Sequence, residues 1–218
     1  MKQKILNQTR LLYNKNGLSK VTARVICENL GISLGSFSYH FPDKKKILVS
    51  LYEEMLSEIQ TVYEYIQEKE PNISTYLESH RLLFKVQEKY KFFYLNLFEI
   101  LTNNPDINKI FSQNRVLEIS MSKQLFRLYM EKGILKKDIP ESQIERLIVV
   151  GQILNNFWPI DSEISPELER KNRLIHYMKS NCGLLEPYLE KKSEEEYHNY
   201  FKQLEKTVAN NGNRCTSP

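Results

Sequence analysis

The chain has 218 residues, 41% of them hydrophobic and 27% charged, with a formal net charge of +4 at pH 7. That length suffices for a small domain joined to a larger one, each with a core of its own. No 18-residue apolar run occurs and no apolar stretch follows Met1-Lys2-Gln3-Lys4, which excludes a membrane-spanning helix and a signal peptide and leads us to expect a cytoplasmic protein with no membrane partner.

The first apolar series, Ile5, Leu6, Thr9, Leu12 and Tyr13, recurs at helical spacing and predicts a helix over residues 3 to 16, ended by Gly17. Thr22 and Ser33 each stand just before a short helical segment, where a hydroxyl accepts a hydrogen bond from an otherwise unpaired first-turn N–H. Each cap is flanked by an apolar pair at the spacing of a hydrophobic staple, Val21 with Ile26 and Ile32 with Phe37. Gly31 falls between the two segments, where glycine enters the left-handed region without a Cβ clash. Helix, glycine turn and helix make a helix-turn-helix unit. Its predicted core is Leu6, Leu12, Val25, Ile26, Leu30, Phe37 and Phe41, with Leu34, Ser36 and Tyr39 facing outward from the third helix. Polar side chains on one face of a short helix and aromatics on the other suit entry into a DNA groove.

After Pro42-Asp43 a fourth helix begins with Lys44-Lys45-Lys46, although cations at a helix N-terminus oppose the macrodipole by about 0.3 to 1 kcal/mol each. A phosphate at the helix start would compensate, because N–H groups, dipole and ammonium groups attract the same anion. The competing explanation is three solvated lysines. Charge distribution favours the phosphate: residues 1 to 50 carry nine Lys and Arg against two Asp and Glu, a net +7, whereas the other 168 carry 22 against 25, a net −3.

These features resemble the DNA-binding region of the TetR family of bacterial repressors over residues 5 to 48, about a fifth of the chain. The resemblance is carried by the small-x-small turn from Gly31 to Ser33, the Gly35-x-Phe37-x-Tyr39-His40-Phe41 helix and the Asp43-Lys44 helix start. It implies a homodimer on double-stranded DNA at a near-palindromic operator close to its own promoter, released when a small molecule enters the C-terminal body. The residues expected to meet DNA are Thr22, Arg24, Ser33, Leu34, Ser36, Tyr39, His40, Lys44, Lys45 and Lys46. Two positions depart from the family: Ser38 stands where a phosphate-touching tyrosine is usual, and Val21 where a second threonine is usual. The phosphate contacts are then expected to pass to Tyr39, His40 and the lysine cluster.

From Ile47 the stripe Leu48, Leu51, Tyr52, Met55, Ile59, Val62, Tyr63 and Ile66 continues unbroken, predicting a helix about 30 Å long that joins head to body. Breaks are predicted at Pro71-Asn72, Asn103-Asn104-Pro105, Lys132-Gly133, Asp161 to Pro166 and Asn181-Cys182-Gly183, with Pro140 and Pro166 in first helical turns. No strand alternation competes. The expected fold is therefore all-α: a three-helix DNA-binding domain over 1–46, a helical regulatory and dimerisation domain over 47–206, and an irregular tail over 207–218.

Aromatics are dense in the body, and Phe84, Phe92, Phe98, Phe111, Tyr129 and Trp158 are candidate lining residues for a partly apolar effector. Ordinary core packing is the competing explanation for each. Ile144, Leu147, Ile148, Gly151, Leu154 and Phe157 could supply a dimer interface or an internal core helix.

Gly31-Ile32-Ser33-Leu34-Gly35 matches the G-x-S-x-G nucleophile elbow, but that motif needs a strand before it, and here a capped helix precedes it. His40, His80, His176 and His198 show no metal-ligand spacing, and Cys27, Cys182 and Cys215 form no C-x-x-C and are expected to be reduced thiols. We therefore expect no enzyme, catalytic residue, metal or cofactor. A ligand-responsive repressor is the leading function; the alternative is a helical interaction module whose helix-turn-helix does not bind DNA.

Overall fold

The computed structural model describes residues 1–165 and 172–213, with side chains to residue 209. Among them all regular structure is helical, and Leu135 and Leu189 form an isolated antiparallel bridge. The chain forms two compact units, residues 1–61 with 86–113 and residues 62–85 with 114 onward.

In the first unit, α1 (Lys2–Asn16) buries the five residues whose spacing predicts it, and Gly17 closes it at φ 80°. Next come α2 (Ala23–Leu30) and α3 (Leu34–His40). Ile26 and Cys27 form the buried stripe of α2, while Val25 and Leu30, expected in the core, are only half-buried. An eight-residue helix has room for one narrow apolar stripe, and Val21, fully buried just outside α2, fills the remaining space.

The long α4 (Lys44–Gln67) follows; 24 residues span about 36 Å. Sequence signals suggest no interruption between Phe84 and Phe98. The chain nevertheless breaks twice there, separating α5 (Ile73–Lys89), α6 (Lys91–Leu95) and α7 (Leu97–Asn103). The five-residue α6 buries Phe92, Phe93 and Tyr94. Tyr52 stacks on Phe93 at 4.9 Å between ring centroids, and Tyr13 packs against Phe92 at 5.2 Å, so these aromatics form the core of the unit that carries the helix-turn-helix.

The second unit takes the later part of α8 (Pro105–Glu131), then α9 (Glu141–Ile164), α10 (Arg173–Cys182), a 3-10 turn over Gly183–Tyr188, and α11 (Lys191–Asn213). Its core includes Leu77, Phe84, Tyr129, Leu135, Ile148, Trp158, Met178 and Phe201. The break expected from Asp161 begins only at Ser165, and α9 passes through Asp161 with Pro159 inside it. The Tyr177 hydroxyl donates to Asp161 Oδ2 at 2.6 Å and the Ser165 N–H donates to the Asp161 carbonyl, which keeps this turn helical. Pro140 directly precedes α9, whereas Pro166 and Cys215 lie outside the described residues. Helix α11 continues to Asn213, through the start of the segment expected to be irregular.

Candidate nucleic-acid interface

Local capping builds the head. Thr22 Oγ1 accepts from the Val25 N–H at 3.3 Å, and Ser33 Oγ accepts from the Ser36 N–H at 3.1 Å. Gly31, at φ 64°, closes α2 in the left-handed region where a Cβ would be strained. With Phe37 buried at the centre of α3, the opposite face is presented outward: Leu34 is 49% exposed, Tyr39 86%, Gly35 and Ser38 are exposed, and Ser36 and His40 are half-exposed. Tyr39 meets the His40 ring edge-on at 5.1 Å, and Arg24 is exposed on α2. Ser33, spent on its cap at a helix-to-helix turn, has none of the strand context of a hydrolase elbow.

The three lysines of α4 are not equivalent. All three residues are exposed, and they differ in what the ammonium meets. Lys44 turns its ammonium to the Leu18 carbonyl at 3.0 Å and lies 5.8 Å from the Tyr13 ring centroid. Desolvation lowers its pKa, opposed by the nearby Glu99 carboxylate. Asp43 caps the helix, its Oδ1 accepting from the Lys46 N–H at 2.8 Å. Part of the compensation that the lysine-rich start demands is therefore internal: a carboxylate sits at the positive end of the dipole. The signal was present in the sequence as an aspartate three residues before Lys46.

The aromatic candidates divide between the units. Phe92, Phe98 and Phe111 belong to the first: Phe92 is core, Phe111 pairs with Phe93 at 6.4 Å, and Phe98 is 85% exposed. Phe84, Tyr129 and Trp158 are buried in the second, where Phe84 stacks on Trp158 at 4.9 Å with the rings 10° apart. A solvent-open groove of about 310 Å³ in the second unit is lined by Lys179, Glu186, Tyr197, His198, Phe201, Lys202 and Glu205, none of them a candidate. Its Lys179 pairs with Glu205 at 2.5 Å and His198 faces Glu186 at 3.5 Å.

Helix α9 has two apolar faces. Ile144 and Ile148, open between an interface and an internal core helix on sequence alone, are buried in the core of their own unit, whereas Val149, Val150, Ile153, Phe157 and Ile164 are 41% to 67% exposed. Leu147 and Leu154 are half-buried between the two faces. A Cβ added to Gly151 would point into open space among the described residues, while the Gly151 carbonyl accepts from the Asn181 amide at 3.2 Å.

A capped helix-turn-helix with an exposed third helix, followed by a lysine-rich helix start, defines a DNA-binding protein of the helix-turn-helix class. Residues 5–51 match the family described as bacterial regulatory proteins, tetR family, and residues 52–197 match that described as bacterial transcriptional repressor. The chain belongs to the TetR family and is a DNA-binding transcriptional regulator. Over 145 residues it is 26% identical to IcaR, the negative transcriptional regulator of the biofilm operon icaADBC in Staphylococcus aureus strain Newman, covering 62% of this chain and 72% of IcaR. A TetR-family regulator from Marinobacter aquaeolei VT8 has the same fold, with a TM-score of 0.81 at 19% identity over 93% of this chain and 98% of that one. The ketosteroid regulator KstR2 of Mycobacterium tuberculosis gives a TM-score of 0.65 at 16% identity, over 87% and 95%.

Proposed function

We propose that this regulator is a cytoplasmic homodimeric repressor that binds a near-palindromic operator and leaves it when a partly apolar small molecule occupies the body. The observation that carries the reading is the outward face of α3 beside the exposed Lys45 and Lys46, in the one part of the chain with a strong positive balance. Leu34, Ser36 and Tyr39 are the proposed base-facing group; Thr22, Arg24, Ser33, His40, Lys45 and Lys46 hold the backbone, while the Lys44 ammonium is engaged at the Leu18 carbonyl within the head. The similarity to IcaR, a negative regulator, supports repression over activation. The exposed face of α9 supports self-association, since five large apolar side chains spaced along one helix favour burial. Residues 1–46 act as the DNA-binding domain and 47–206 as the sensor and dimerisation domain.

Selection of bound fragments from the source genome, with and without candidate small molecules, tests the whole reading. The expected result is enrichment of one or a few symmetric sites of about 14 to 20 base pairs. Enrichment of no fragment would favour the interaction-module alternative.

A further inference from the structure

Near the C-terminal end of α1, the Asn14 side chain bonds to both sides of the break between α5 and α6. Its Nδ2 donates to the Lys89 carbonyl at 2.9 Å, and its Oδ1 accepts from the Phe92 N–H at 2.9 Å. The Lys89 carbonyl is among those left over at the end of α5, and the Phe92 N–H is in the first turn of α6, whose N-cap Tyr90 offers no side-chain cap. One planar amide on a third helix thus satisfies one orphan group on each side of the corner. Donor and acceptor belong to one planar amide, so the two bonds tie both sides of the corner to a single side chain of α1.

Helix α4 holds the same corner from its own side. The Tyr90 hydroxyl donates to Glu58 Oε1 at 2.6 Å, and Lys89 pairs with that oxygen at 2.5 Å. Helices α1 and α4 precede and follow the two helices of the helix-turn-helix, so the corner fixes the frame in which α3 is presented. Helices α5 and α8, which leave residues 86–113 at either end, continue into residues assigned to the second unit.

From this juxtaposition we infer that Asn14 is a positioning residue that couples the DNA-binding head to the α5–α6 corner, so that the corner senses whether the head is on DNA. The inference rests on operator binding as proposed above.

Amide hydrogen exchange on the full-length protein, alone and saturated with its selected operator fragment, tests it. In the unaltered protein, operator should slow exchange in peptides covering residues 22–46 and, by about tenfold, in those covering 86–96. Asn14→Ala should keep the operator-induced protection at 22–46 and lose it at 86–96. The difference between free and bound protein is the readout, because lost local stability alone raises exchange in both. Undiminished operator-induced protection at 86–96 in Asn14→Ala overturns the inference, as does its absence in the unaltered protein. Absence of protection at 22–46 indicts the operator reading instead, and the corner is then tested by whether Asn14→Ala splits one cooperative thermal transition into two; a single unsplit transition overturns the inference. Should Asn14→Ala not fold, Asn14→Asp keeps the acceptor for Phe92 and loses the donor to Lys89; it is expected to show weakened protection at 86–96, and protection equal to the unaltered protein overturns the inference.

Discussion

Thr9 is completely buried in the head, and its Oγ1 has no hydrogen-bond partner among the described residues. Thr9→Val keeps the shape and removes the unpaired group, and should raise stability by about 1 kcal/mol in denaturant titration. An unchanged or lower midpoint would mean that the hydroxyl is satisfied in solution. Lysine roles separate in the same way. Lys45→Gln and Lys46→Gln should each flatten the slope of log K against log salt by about 0.9 for every phosphate that is no longer neutralised, for every DNA sequence alike. Lys44→Gln should leave that slope nearly unchanged and lower head stability, because its ammonium is engaged with the Leu18 carbonyl. Equal slope changes at all three positions would return Lys44 to the interface. In the body, burial lowers the pKa of His80, whose Nδ1–H donates to the Tyr76 carbonyl at 3.0 Å. The unfolded chain then takes up a proton more readily than the folded one. This contribution is complete above the ordinary value of 6.5 and is lost as pH falls below it. His80→Gln should flatten the decline of stability as pH falls below about 6.5, measured by denaturant midpoint against pH.

The caps of α2 and α3 were legible because capping is local: a hydroxyl, an apolar pair and a glycine within a few residues contain the whole instruction. The breaks at Tyr90 and Asn96 were not, because neither glycine nor proline marks them and a group that stabilises one of them, the Asn14 amide, lies more than 70 residues earlier. The contact of Lys44 with the Leu18 carbonyl was hidden for the same reason, since the two are 26 residues apart. Aromatic density in the body was legible, but which rings share a core was not: Phe84 and Trp158 stack, while Phe92 belongs to the other unit. Helical spacing located α9, and accessibility then distinguished its faces, core at Ile144 and Ile148 and open at Val149, Ile153 and Phe157. Phe157→Glu places a charge on the open face and should shift a dimer toward monomer in sedimentation velocity, with little change in helix content. A dimer that persists undiminished would place the interface elsewhere.

At the scale of the molecule, α4, α5 and α8 each carry residues of both compact units, and the proposed release by an effector sets a thermodynamic requirement. A hundredfold loss of operator affinity requires an effector to favour the unbound arrangement by about 2.7 kcal/mol. Reciprocity then obliges saturating operator to weaken effector binding by the same hundredfold, a comparison that titration calorimetry makes directly. A compound whose affinity ignores the operator is not the inducer. The stacked pair in the second unit bears on how such a compound will be recognised. Trp158 is the chain's only tryptophan, lying over Phe84 and 5.5 Å from the Tyr177 ring. Emission excited at the red edge of protein absorption therefore comes from one buried indole in the second unit and from nowhere in the head. The molecule carries a built-in optical probe: a small molecule that disturbs this stack changes its colour or brightness, and an unlabelled fluorescence screen can search for effectors before any operator is known.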